Sequence, residues 1–83
     1  MNDIGLKVFH NAYKSVSTGT IVVDEIAKVP VVFHPCGDEL VDITIDGNVY
    51  SVSIGLLEFT APLVANIIKD VSKRIKVCVL GEI

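Results

Sequence analysis

Residues 40–55 read LVDITIDGNVYSVSIG, and their alternation decides the fold. Val41, Ile43 and Ile45 alternate with Asp42, Thr44 and Asp46. After Gly47-Asn48 the pattern resumes, with Tyr50, Val52 and Ile54 set against Val49, Ser51 and Ser53. A period of two on both sides of a turn is a β-hairpin with one buried face. A turn at Gly47-Asn48 pairs Ile45 with Tyr50, Ile43 with Val52 and Val41 with Ile54, which is the expected register. A turn at Asp46-Gly47 shifts the pairing by two residues and sets Asn48 opposite Ile45, with the faces unchanged.

Downstream, the period changes. Val64, Ile67, Ile68, Val71 and Ile75 fall at i, i+3, i+4, i+7 and i+11, the stripe of an amphipathic helix. Thr60 is placed to cap it, and Pro62 is tolerated in a first turn, so the expected helix runs over about 61–74. The apolar hairpin face should meet this stripe. Ile75-Lys76-Val77-Cys78-Val79-Leu80 is rich in β-branched residues and reads as a final strand closed by Gly81.

Upstream, Thr20–Ile26 and Val29–His34 read as two further strands, and Pro30 suits an edge or a strand start. The N-terminal segment supports two readings. As a helix, it groups Leu6, Phe9, Ala12, Tyr13 and Val16 on one face and Lys7, His10, Asn11 and Lys14 on the other, with Thr18-Gly19 as a stop. As a strand, it alternates Ile4, Leu6 and Val8 with Gly5, Lys7 and Phe9. The helical reading is preferred. The expected fold is a single α+β domain over residues 1–83: an antiparallel sheet of about five strands, the helix of residues 61–74 on one face and a second short helix at the N-terminus.

Composition bounds function. Hydrophobic residues make up 51% of 83 positions, Val supplies 14 and Ile 10, and mean hydropathy is +0.59. The longest apolar stretch, Val29–Phe33, contains Pro30 and is far too short to cross a bilayer. No basic start followed by an apolar block marks a signal peptide, so the expected location is cytoplasmic, with no membrane partner. Net charge is −3, which argues mildly against general affinity for nucleic acid.

Few residues point to chemistry. His10, His34, Cys36 and Cys78 are the right count for a structural zinc, but they lack the paired spacing that zinc sites use. His34, Cys36, Asp38 and Glu39 have the composition of a catalytic group, yet near neighbours in a turn seldom aim at one another. No phosphate-cradling glycine motif occurs. The chain is therefore expected to be non-catalytic, without metal or cofactor; two such cysteines are usually free and buried, while a Cys36–Cys78 disulfide stays open to the sequence.

What remains is the apolar surplus. Adjacent strand residues face opposite sides, so Val22-Val23 and Val31-Val32 cannot all enter one core. Ile21, Val23, Val31 and Phe33 are the expected partner surface. The Pro30 strand and the strand of residues 75–80 are the expected sheet edges. The expected function is a small interaction module, homo-oligomeric or an adaptor or inhibitor of a larger protein. The alternative is binding of nucleic acid, nucleotide or phosphate through Lys69, Lys73, Arg74 and Lys76, where four of the seven basic residues gather near a helix end.

Overall fold

The computed structural model describes residues 3–81, with side chains from residue 3 to residue 75. The chain runs α1 (Asp3–Thr18), β1 (Val22–Ile26), β2 (Val29–Pro35), β3 (Leu40–Ile45), β4 (Asn48–Ser53), a short 3-10 turn (Ile54–Leu56) and α2 (Leu57–Gly81). The strands form one antiparallel meander in the order β1-β2-β3-β4. Both helices lie on the same side of it. This is the α+β class expected from the pattern, with four strands among the described residues instead of about five.

The N-terminal segment is helical. Asp3 sits in its first turn, where a negative charge suits the helix dipole. Gly19 ends it in the left-handed conformation, φ 68°, and donates its N–H to the Ser15 carbonyl at 2.9 Å. The buried face matches the expected one in part: Ala12 is buried, and Phe9 and Val16 pack half-buried against the core. Gly5, Val8, Asn11, Ala12 and Ser15 turn inward, whereas Leu6 and Tyr13 are exposed. Small side chains let the helix settle close to the sheet, and the larger residues are pushed to the flanks.

Two tight turns set the strand registers. Ala27 and Lys28 (φ 53° and 66°) join β1 to β2, and Asp46 and Gly47 (φ 52° and 81°) join β3 to β4. Positive φ at both central residues is the turn whose twist matches paired strands. The second turn sets Ile45 opposite Asn48, Ile43 opposite Tyr50 and Val41 opposite Val52. The hairpin therefore adopts the Asp46-Gly47 register and not the Gly47-Asn48 one. Asp-Gly accommodates paired positive φ better than Gly-Asn, and the turn outweighs the apolar matching of Ile45 with Tyr50.

α2 is longer at both ends than the expected 61–74. It starts directly from the 3-10 turn, anchored by fully buried Leu57. Thr60 lies inside it and donates back to the Leu56 and Leu57 carbonyls at 3.3 and 3.4 Å, so it is not the cap. Pro62 is also interior, which deprives the Glu58 carbonyl of its i+4 donor. At the far end, residues 75–80 continue the helix and form no strand. No glycine or proline interrupts the chain between Pro62 and Gly81, so nothing stops a helix whose stripe already reaches Ile75.

The core lies between the sheet and the helix pair. Val29, Val31, Phe33, Val41, Ile43 and Ile45 from the sheet pack with Val8 and Ala12 of α1 and Leu57, Ala61, Val64, Ile68 and Val71 of α2. The hairpin face and the helix stripe thus share one core. α1 is the main cover, lying against β1, β2 and β3, while α2 packs chiefly on α1 and reaches the sheet at β2 and β4.

Candidate interaction surface

Among the described residues the sheet has helices on one side only. Its other face is built by the residues out of phase with the core: Val23 and Glu25, then Pro30, Val32 and His34, then Leu40, Asp42 and Thr44, then Val49, Ser51 and Ser53. The registers align Val23, Val32, Thr44 and Val49 in one row across all four strands. Val23 is 70% exposed, and Ile21, Leu40 and Val49 are also exposed.

The expected partner residues divide between the two faces. Ile21 and Val23 lie on the surface, just before and within β1. Val31 and Phe33 are each 0% exposed and belong to the core, so they offer nothing to a partner. The in-phase set of β2 is Val29, Val31 and Phe33, and it is the set buried beneath the helices. Val32 is the residue of that run on the open face. The expected edges also change: β2, with Pro30, is interior, and the strands at the edges are β1 and β4.

Beside the apolar row runs a polar one. His34, Asp42 and Ser51 face one another across β2, β3 and β4. Ser51 Oγ donates to Asp42 Oδ1 at 2.6 Å. Cys36, at the end of β2, is an exposed free thiol, and its Sγ donates to the His34 carbonyl at 3.5 Å. Cys36 and Ser51 hydrogen-bond the Asp42 carboxylate and hold its pKa below the ordinary range, with a smaller contribution from His34. The same carboxylate pushes the Cys36 thiol up. A nucleophilic cysteine needs the opposite shift, so this grouping favours a protonated thiol. Asp38 and Glu39 make no hydrogen bond to it among the described residues. No cluster there could hold a metal ion. Cys78 lies outside the described side chains.

The two edges differ. The Cys36 N–H donates to the Leu40 carbonyl at 2.8 Å, which fixes the hydrogen-bonding phase of β2 and leaves Val23 and Glu25 facing outward on β1. The Glu25 groups are occupied. Its N–H donates to Asp24 Oδ1 at 2.7 Å, and its carbonyl accepts from Lys7 Nζ at 3.3 Å. Asn11 Nδ2 donates to Asp24 Oδ2 at 2.9 Å, and Lys7 Nζ lies 3.4 Å from that oxygen. These hydrogen bonds, Asn11 foremost, lower the Asp24 pKa. On β4 the Ile54 N–H donates to the Glu39 carbonyl at 2.7 Å, and the same phase turns the backbones of Val49 and Ser51 outward. Among the described residues nothing meets them.

Two other surfaces are less developed. An apolar pocket of about 240 Å³ lies between the helices, lined by Gly5, Leu6, Phe9, Glu58, Ala61 and Pro62. Leu56, Phe59 and Leu63 stand exposed near it, and their i, i+3, i+7 spacing was the signal available in the sequence. Lys69, Lys73 and Arg74 are exposed on α2, and Asp70 Oδ2 lies 4.0 Å from Arg74, which dilutes the basic patch; the Lys76 side chain lies outside the described residues. Among the described residues no helix is long and apolar enough to cross a membrane.

No protein-family model, curated protein or solved structure matches the chain.

Proposed function

We propose that the chain is a small non-catalytic interaction module that associates with copies of itself through strand surface. The observation that carries this reading is the sheet with helices on one side only. Its uncovered face bears Val23, Leu40 and Val49 in the open, and Ile21 borders it. Apolar surface of this kind gains free energy when a second surface excludes water from it, at about 25 cal/mol per Å². The polar grouping around Asp42 supports the non-catalytic part, because the Asp42 carboxylate pushes the Cys36 thiol up, away from the shift a nucleophile needs, and the grouping sits on an open face.

Light scattering on the purified chain tests the proposal over a wide concentration range. The expected mass is a multiple of 8.9 kDa that grows toward a limiting value as concentration rises. A monomer at every concentration, with no retained partner, overturns it.

A further inference from the structure

We infer that two copies of this chain associate by antiparallel pairing of their β4 strands, about a two-fold axis at Ser51, into one continuous sheet. This pairing rests on the self-association proposed above and places its contact at the β4 edge of the sheet, with the uncovered face continuing across both copies. β4 reads Asn48-Val-Tyr-Ser-Val-Ser53 and has no charged residue and no proline. Edge strands of monomeric proteins usually carry one or the other, because an exposed row of backbone groups invites a second strand. Here the outward backbone groups of Val49 and Ser51 have no hydrogen-bond partner among the described residues.

The side chains favour the same pairing. On the core side of β4, Tyr50 and Val52 are only half-buried, whereas Val41, Ile43 and Ile45 on the neighbouring strand are fully buried. An axis at Ser51 sets Tyr50 of one copy opposite Val52 of the other, an aromatic against a β-branched residue. It also sets Val49 opposite Ser53 and Ser51 opposite its own copy. An axis one residue earlier would face Val52 with Asn48 and leave that side chain wet.

The unequal edges set the stoichiometry. Glu25 on β1 is occupied by Lys7 and Asp24, so β1 offers a further strand only the outward groups of Val23, too short a row for the sheet to propagate on. Identical surfaces meeting about a two-fold axis then close at two copies. A contact of five residues per strand covers less than the roughly 800 Å² per partner of a standard interface, so the expected affinity is in the micromolar class.

Sedimentation equilibrium from about 1 μM to 1 mM, combined with amide exchange on the unmodified chain, tests the pairing. The expected result is a monomer–dimer equilibrium. The amides of Val49, Ser51 and Ser53 gain protection as dimer forms, and that of Val23 does not. Ser51→Lys and Ser51→Glu each weaken the dimer about tenfold or more, because like charges then face each other across the axis. Mixing the two variants restores it. A dimer whose β4 amides stay unprotected rejects the β4 pairing and leaves self-association standing. So does a dimer indifferent to both variants, or a loss that mixing does not recover. A chain that remains monomeric to 1 mM rejects both. The exchange measurement decides the matter even if a variant fails to fold.

Discussion

Phe33 and Val23 look alike in the sequence, each a large apolar residue in a valine-rich run, and they have opposite roles. Phe33 is among the largest fully buried side chains, whereas Val23 stands on the open face. Phe33→Ala should destabilise the fold by about 3–5 kcal/mol, read from denaturant midpoints. That is a large share of the roughly 4–12 kcal/mol available to a domain of this length. Val23→Ser should change stability by no more than about 0.5 kcal/mol. An equal loss in both would contradict the placement of the two faces. Asp24 and Asp42 tie stability to pH in the acid range. Both have carboxyl groups held below their ordinary pKa by hydrogen bonds that the unfolded chain lacks. Their contribution is therefore present above the usual carboxylate value of about 4 and disappears as pH falls through the lowered folded values. Thermal melts should show stability declining in that acid range, and the decline should be shallower in Asp24→Asn with Asp42→Asn. An unchanged acid profile in the double variant would remove both carboxylates from the account.

Elements were legible where the sequence repeats its period and illegible where two rules compete. The hairpin of residues 40–54 could be read because alternation fixes which side chains turn inward, whatever the turn. Its register could not, because the two candidate turns differ by two residues and keep every face. The run at residues 75–80 was misread because β-branched composition outweighed the absence of any stop before Gly81. In α1, counting large apolar residues favoured Leu6 and Tyr13, while contact with the sheet selected Gly5, Asn11 and Ser15. The open face of the sheet was half legible: the excess of valines is visible, but assigning Val31 to the core needs the phase of β2. The β1–β2 turn has a consequence of its own. Ala27 and Lys28 both sit at positive φ without being glycine. Such a conformation costs about 1–2 kcal/mol at an ordinary residue. Lys28→Gly should therefore raise the midpoint of unfolding by the equivalent of about 1 kcal/mol, net of the entropy that glycine adds to the unfolded chain. A lower midpoint would show that the Lys28 side chain contributes more than its backbone costs.

At the scale of the molecule, a single layer of helices covers a sheet whose two borders are treated differently. One border is knotted to α1 through Lys7, Asn11 and Asp24, and among the described residues nothing covers the other. On the β4 pairing inferred above, Asp24 would be more than a local anchor, because it would determine whether assembly ends. In Asp24→Ala, the Glu25 amide loses its acceptor and Lys7 its counter-charge, so the first border opens beside the second. Copies could then add at both sides, and a finite particle becomes a growing ribbon. Light scattering should show a broad, time-dependent mass distribution for this variant against a narrow one for the parent chain. A narrow distribution in both would place the stop elsewhere. One carboxylate on a five-residue strand would thus set the difference between a counted assembly and an uncounted one.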